Sequence, residues 1–165
     1  MTDVIVNVNE TGPENFDFLV GEWSVHNRLL NSRLSNSTEW SEFSARLYGY
    51  TKFLGGNLNI ENFEGERNGQ HFHGSSIRVY NPEKREWVIY WVDSNNHEVL
   101  PQVIGIFKDG VGEFYGEDII NDEKLKLRFI WKDISEDHAV WEQAYFDENS
   151  KGWEINWIMT FDRTK

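Results

Sequence analysis

Apolar and polar residues alternate with a period of two along almost the whole chain, and the spacing typical of helices is almost absent. Such alternation places successive side chains on opposite faces of a strand. The pattern predicts about ten strands, at residues 22–34, 38–54, 57–66, 70–80, 86–93, 102–108, 111–119, 123–132, 138–147 and 153–163. The predicted fold class is therefore all-β.

Short turn sequences separate the predicted strands. Residues 81–84, 108–110 and 121–122 contain the Pro, Gly, Asn and Asp residues that favour tight turns. Strands joined by such loops pair as antiparallel neighbours. Ten of them in an open sheet would leave two long aromatic edges, which closure into a barrel removes. We predict an up-and-down antiparallel β-barrel, with a filled two-sheet sandwich as the alternative.

The first predicted strand begins with Gly21-Glu22-Trp23. This glycine-x-tryptophan motif resembles that of the calycins, the superfamily of lipocalins, fatty-acid-binding proteins and avidins. The resemblance implies that Trp23 closes the floor of the barrel and that an arginine from the last strand packs across its ring. Arg163 occupies the matching position, so Gly21, Trp23 and Arg163 are the residues implied for barrel closure.

Further motifs over nearly the whole chain are similar to those of an uncharacterised bacterial family of lipocalin-like proteins. They are Phe16-Asp17-Phe18-Leu19-x-Gly21-x-Trp23, Leu54-Gly55-Gly56-Asn57, Arg78-x-Tyr80-x-Pro82 with Trp87-x-x-Tyr90-Trp91, Gly105-x-Phe107-x-x-Gly110-x-Gly112-x-Phe114, and Trp153-x-x-Asn156-Trp157 with Phe161-x-Arg163. The resemblance implies the barrel fold and no particular activity.

The length of 165 residues is typical of one domain. We expect residues 1–14 to be a loose N-terminal segment and residues 15–165 to form the barrel, with a helical turn near residues 16–19 capping one end. The N-terminus has no basic region before an apolar one, which argues against a secretory signal. No apolar run approaches the roughly 20 residues of a membrane span. These features favour a cytoplasmic protein.

Charge and aromatic content narrow the range of partners. The net charge of −12 disfavours nucleic acid and anionic membrane surfaces. The chain has 8 Trp, 6 Tyr and 11 Phe, more rings than an ordinary core requires. A barrel of about ten strands can leave an interior cavity. We therefore expect a cavity of at least about 300 Å³, the lower end for ligand pockets.

Polar residues on the aromatic-rich strands are the candidate ligand contacts. They are Arg78, Asp93, Asp118, Arg128, Gln143 and Asn156. Arg128 shares its face with Lys124 and Lys126, so alternation points it outward. The predicted ligand-binding set is Arg78, Trp91, Asp118, Trp131, Gln143 and Asn156. The alternative is that the polar members face solvent or form internal structural ion pairs.

Other kinds of chemistry have little support. His71 and His73 share a strand face, but no third ligand has suitable spacing, so we expect no metal. The haem-binding nitrobindins, which are nearby calycins, carry an axial histidine in the last strand, and this chain has no histidine after His138. Nucleophile-elbow and phosphate-loop motifs are also absent. We expect no cofactor, and the catalytic residues, if any exist, are unknown.

The expected function is the non-covalent binding of a small apolar or aromatic molecule inside the barrel, as is typical of pockets that combine apolar walls with a few polar groups. The alternative is a cofactor-free isomerase, cyclase or lyase that acts on a hydrophobic substrate in the same cavity. Asp93 and Asp118 are the carboxylates that could then move a proton. A third hypothesis is an interaction module that dimerises and binds no ligand. Under this hypothesis the partner is a second copy of the chain, in a homodimer.

Overall fold

The protein is a closed barrel of ten antiparallel strands, which confirms the predicted fold class. A computed structural model describes residues 6–165, apart from the side chains of residues 51, 52 and 100–102. The strands are β1 (Gly21–Leu30), β2 (Trp40–Phe53), β3 (Leu58–Arg67), β4 (Gln70–Asn81), β5 (Glu86–Asp93), β6 (Leu100–Lys108), β7 (Val111–Ile120), β8 (Glu123–Lys132), β9 (His138–Asp147) and β10 (Gly152–Arg163). Two single 3-10 turns, Asp17–Leu19 and Leu54–Gly56, complete the described secondary structure.

The first and last strands meet, and this pairing closes the barrel. Trp23 on β1 is opposite Leu47 on β2 and Arg163 on β10. The two-sheet sandwich is therefore wrong. Strand β1 ends at Leu30, four residues before its predicted end. The reason is a turn in which Leu34 and Asn36 adopt positive φ angles of 53° and 58°, which no regular strand contains.

The segment before β1 covers one end of the barrel. Phe16, Phe18 and Leu19, in and beside the first 3-10 turn, are at most 1% exposed. Within the predicted loose segment, residues 1–5 lie outside the described residues, whereas residues 6–14 lie against the barrel. Val8 is 7% exposed and Glu10 pairs with Lys108 of β6. The buried side chain of Val8 and the bridge from Glu10 to β6 attach this segment to the barrel.

Two parts of the barrel wall distribute their polar residues differently. In what we call the conventional wall, strand β8 directs Leu127, Phe129 and Trp131 inward and its Lys and Arg residues outward. The inverted wall is the pair β3–β4, in which the inward residues include Asn59, Glu61, Ser76 and Arg78. Its outward residues include Leu58, Ile60, Ile77 and Val79, none of which is fully buried.

A bulge in β10 changes the alternation of that strand. Ile155 pairs with Ala144 and Trp157 pairs with Gln143, so Asn156 is an extra residue between them. A bulge lets two consecutive residues face the same side. Asn156 is completely buried, and Trp157 lines the interior beside it.

Candidate functional site

The floor of the barrel has the arrangement that the glycine-x-tryptophan resemblance implies. Trp23 is 1% exposed, and its indole N–H donates to the Leu19 carbonyl at 3.1 Å. The Arg163 guanidinium carbon lies 4.2 Å from the Trp23 ring centroid. Its nitrogens donate to the carbonyls of Phe18, Val20 and Glu136. The arginine therefore ties β10 to the turn beneath the barrel.

Gly21 leaves room for this arginine. Its φ angle is +108°, a conformation that favours glycine. A Cβ at this position would lie 2.7 Å from Arg163 Nη1 and 2.6 Å from the Lys165 carbonyl oxygen. Gly21 is thus required by both its backbone conformation and its close contacts.

Above the floor lies an inner cavity of about 70 Å³. The expected volume of 300 Å³ is wrong for the interior, because large side chains fill most of it. Rings of Trp91, Phe129, Trp131, Trp141 and Trp157 form much of the wall, and Glu61, Ser76, Arg78 and Gln143 supply its polar atoms. A volume of this size holds a group of a few atoms, since one water in the liquid occupies about 30 Å³.

Arg78 is the centre of a buried polar cluster at the cavity. It is 2% exposed and donates from Nη1 to Asn59 Oδ1 at 2.7 Å and from Nη2 to Glu61 Oε2 at 2.5 Å. Its guanidinium carbon also lies 4.8 Å from the Phe16 ring centroid and 5.7 Å from that of Trp131. Glu61 is 5% exposed, so the ion pair is almost entirely removed from water.

A second polar cluster lies on the opposite side of the interior, where β9 and β10 meet. Gln143 Nε2 donates to Asn156 Oδ1 at 2.9 Å, and both side chains are buried. The Trp157 indole N–H donates to Asn27 Oδ1 at 3.0 Å. The bond to Asn27 fixes the orientation of Trp157, one of the cavity rings.

A larger cleft of about 290 Å³ lies at the mouth of the barrel. Phe43, Phe72 and Trp157 provide apolar surface, and the charged lining residues include Arg33, Arg67 and Asp93. Trp157 borders both the cleft and the inner cavity, so its indole stands between the two volumes.

Trp91 lines the inner cavity, and its neighbours Phe72 and Asp93 line the mouth cleft. Its ring stacks against Phe72 with centroids 6.4 Å apart, and its indole N–H donates to Asp93 Oδ2 at 2.8 Å. The other oxygen of Asp93 accepts from the backbone N–H groups of Asn95 and Asn96. Asp93 therefore positions the indole and caps a turn.

Asp118 lines neither volume and takes part in a different polar chain, which reaches the mouth cleft through Arg33. Tyr145 donates its hydroxyl proton to Asp118 Oδ2 at 2.7 Å, and Arg33 Nη1 donates to the Tyr145 oxygen at 3.2 Å. Burial, and secondly the hydrogen bond to Asp118, raise the pKa of Tyr145. The phenol therefore stays protonated and acts as a donor at neutral pH.

The structure brings four of the six predicted ligand residues together at the inner cavity. Arg78, Trp91, Trp131 and Gln143 line it directly, and Asn156 lies behind Gln143. Asp118 borders neither the cavity nor the cleft. Of the wider candidates, Arg128 points outward over the Trp153 ring, at 4.8 Å, as its alternation predicted.

Sequence reasoning missed Asn59, Glu61, Ser76 and Asn27, all of which are buried polar residues of the interior. Asn59 and Glu61 alternate with Leu58 and Ile60, and the usual assignment turns the apolar pair inward. The available signal was Arg78: once a buried arginine is placed on β4, a carboxylate is expected on a neighbouring strand.

The described residues contain neither a metal-binding cluster nor a membrane-spanning helix. His71 and His73 are exposed, with ring centroids 6.5 Å apart, and no group of three or more His, Asp or Glu residues in 6–165 is arranged to hold a metal. Within the same range, no helix has the length and apolar character that crossing a bilayer requires.

Comparison with known proteins supports the fold alone. No family model and no curated protein matches the chain. Among solved structures, the chain is similar to the S-type phycobiliprotein lyase CPES from Guillardia theta, with a TM-score of 0.61 and 15% identity over 92% of each chain. The chain therefore shares the overall barrel fold of that protein. Membership of the uncharacterised bacterial family stays a prediction.

Proposed function

We propose that the barrel binds a small, largely apolar or aromatic molecule, with its polar end in the inner cavity and its body in the mouth cleft. The observation that carries this proposal is the buried Arg78–Glu61 pair at the wall of an aromatic cavity. A solid core has no need of such a pair, because well-packed apolar residues are usually at least as stabilising. Ligand pockets typically combine apolar walls with a few polar groups of this kind, which orient the ligand.

The aromatic lining supports an apolar body for this molecule. The cavity and cleft together expose rings from Phe43, Phe72, Trp91, Trp141 and Trp157. Flat rings give a planar ligand a large contact area, and stacked or edge contacts add about 0.5–1.5 kcal/mol beyond burial. Trp157 lines both volumes, so a ligand that occupies the two would contact its indole.

The proposal is tested by native mass spectrometry of protein purified from its source cells. We expect the wild-type protein to retain a small molecule that denaturation releases. Ser76→Leu fills the inner cavity and should lose the adduct. Ile77→Leu, on the outer face of the same strand, is the matched control and should keep it. An adduct equally present in Ser76→Leu, or absent from the wild type, contradicts the proposal.

Catalysis on the bound molecule is the second candidate function. The chain Arg33–Tyr145–Asp118 places a protonated phenol beside a carboxylate at the barrel mouth, a pair able to hold and move a proton. The similar solved structure bears the name of a lyase. Turnover of the retained molecule, followed by chromatography, should fall at least tenfold in Asp118→Asn. Unchanged turnover in that variant excludes Asp118 as the acid or base.

A further inference from the structure

We propose that the bound molecule presents a neutral hydrogen-bond acceptor, such as a ketone or amide carbonyl oxygen, to the Arg78 end of the inner cavity, where a carboxylate is disfavoured. This inference rests on the proposed function, because it specifies the polar end of the same ligand. Three features of the interior carry it: the unpartnered polar atoms, the charge balance and the size of the cavity.

The unpartnered buried atoms are all hydrogen-bond donors. Within the described side chains, the buried nitrogen and oxygen atoms without a partner are Arg78 Nε, Asn59 Nδ2, Asn156 Nδ2 and Arg128 Nε. The first three belong to the interior, and their side chains are at most 2% exposed. An N–H buried without an acceptor is unfavourable. A ligand that supplies acceptor oxygens relieves this, whereas a further donor does not.

Of these three residues, Arg78 lines the cavity itself, whereas Asn59 lies behind Arg78 and Asn156 lies across the interior behind Gln143. Asn59 accepts from Arg78, and Asn156 accepts from the cavity residue Gln143. An acceptor placed in the cavity can therefore bond to Arg78 directly. It can also accept from the second N–H of the Gln143 amide, which keeps the existing bond from Gln143 Nε2 to Asn156 Oδ1 in place.

The charge balance decides between a neutral and an anionic acceptor. Glu61 Oε2 lies 2.5 Å from Arg78 Nη2, so the positive charge of Arg78 is already matched inside the barrel. A carboxylate brought into this site would add an unmatched negative charge close to Glu61, among aromatic rings and away from water. A carbonyl oxygen satisfies the donors without changing the net charge.

The cavity is large enough for a polar group but not for a ring. Its volume is about 70 Å³, less than half of the roughly 150 Å³ of a cavity known to bind benzene. The cleft of about 290 Å³ at the mouth accommodates the ring. The molecule therefore enters with its acceptor first and leaves its apolar body beside Trp157.

Three probes of nearly the same shape test this inference. Acetophenone carries a neutral carbonyl oxygen, benzoate a carboxylate, and α-methylstyrene an apolar methylene group at the same place. Each is titrated at pH 7 into the protein while the tryptophan indole N–H signals are followed by ¹H–¹⁵N NMR. We expect acetophenone to bind at least tenfold more tightly than benzoate and about tenfold more tightly than α-methylstyrene.

The variant Glu61→Gln provides a second test, because it removes the negative charge that balances Arg78. In this variant benzoate should bind more tightly than acetophenone, the reverse of the wild-type order. Glu66→Gln makes the same substitution at an exposed position on the same strand and should keep the wild-type order. If Glu61→Gln does not fold, the ranking of the three probes by the wild-type protein decides.

The outcomes separate this inference from the proposed function. Probes that shift the signals of Trp141 or Trp157 without the expected ranking contradict the acceptor inference and leave ligand binding intact. If none of the three probes shifts any interior indole signal, both the inference and the proposed function are overturned.

Discussion

The inverted wall and the conventional wall turn opposite chemical faces toward the barrel axis. On β8, the inward Leu127, Phe129 and Trp131 bury apolar surface, and the charged residues face water. On β3 and β4, Glu61 and Arg78 face inward, while Ile60 and Ile77 face outward. Burial of apolar surface stabilises the first wall. The second wall buries polar groups where the first buries apolar surface, so it gains less of that stabilisation and forms a polar site instead.

The two walls also differ in what they contribute to the proposed ligand contacts. The conventional wall would serve in any barrel, because it needs only apolar residues of suitable size. The inverted wall contains a buried ion pair, and such a pair seldom adds stability over apolar residues. We therefore expect substitutions on the two walls to have different consequences, and the following five predictions test that expectation.

The largest effect is expected for Arg78→Ala. Removal of the guanidinium leaves the Glu61 carboxylate buried without a counter-charge, which should lower the free energy of unfolding by about 3–5 kcal/mol. Urea unfolding followed by tryptophan fluorescence measures the loss. Arg128→Ala, on the outer face of the conventional wall, is the control and should lose about 1 kcal/mol. Equal losses would remove the contrast between the walls.

Replacing both members of the pair should restore most of this loss. In Arg78→Met with Glu61→Leu, apolar side chains fill the same space and no charge is left buried. The free energy of unfolding should return to within about 1 kcal/mol of the wild type, or exceed it. The same urea experiment applies. A double variant as unstable as Arg78→Ala would indicate that the pair maintains the fold rather than a binding site.

A smaller effect is expected at Gly74, an inward residue of the inverted wall. A Cβ there would lie 2.2 Å from Trp91 Cη2, so the indole must move in Gly74→Ala. Overpacking of this kind costs about 1–3 kcal/mol. Urea unfolding gives the loss, and near-ultraviolet circular dichroism reports the displaced ring. Gly12→Ala, with no atom within 4 Å of the added Cβ, should change neither signal.

Tyr145 on β9 gives a smaller, pH-dependent effect. Its pKa is raised in the folded protein, chiefly by burial, whereas the unfolded chain releases the proton near pH 10. The stabilisation from the neutral phenol is complete below pH 10 and is lost as the pH rises above it. Tyr145→Phe should therefore flatten the fall in unfolding free energy between pH 9 and pH 11. Tyr50→Phe, at a ring 54% exposed, should leave the slope unchanged.

The smallest effect is expected on the outer face of the inverted wall. Ile77→Thr keeps a β-branched side chain on a partly exposed surface, so the free energy of unfolding should change by about 0.5 kcal/mol. Leu127→Thr places the same hydroxyl in the interior of the conventional wall and should cost several times more. Similar values for the two variants would show that Ile77 belongs to the core.

The fold could be predicted because its signals are local. Alternation marked each strand, and turn residues such as Asp109 and Gly110 marked the hairpins, so the strand order followed from the chain order. Alternation fails as a guide where the backbone is irregular. A turn at residues 31–36 ends β1 early, and the extra residue Asn156 in β10 brings two neighbours to the same face.

The candidate site was predictable only in part, since the inward face of a strand depends on its partners. Arg78 and Gln143 stood out as polar residues among rings, whereas Glu61 was hidden by the apolar Ile60 and Leu58 on the other face of β3. The cavity volume was overestimated for a related reason. A count of rings does not reveal that Phe16 and Phe18 fold under the barrel and fill it from below.

The pairing of β1 with β10 has a consequence for folding. Nine of the strand pairs join neighbours in sequence and can form as hairpins while the chain is still incomplete. The tenth joins segments more than 120 residues apart, so its loop-closure entropy is the largest of all. Until β10 is present, β1 is a free edge open to pairing with other chains. Release of a chain truncated before Gly152 would therefore yield an aggregating sheet instead of a smaller barrel.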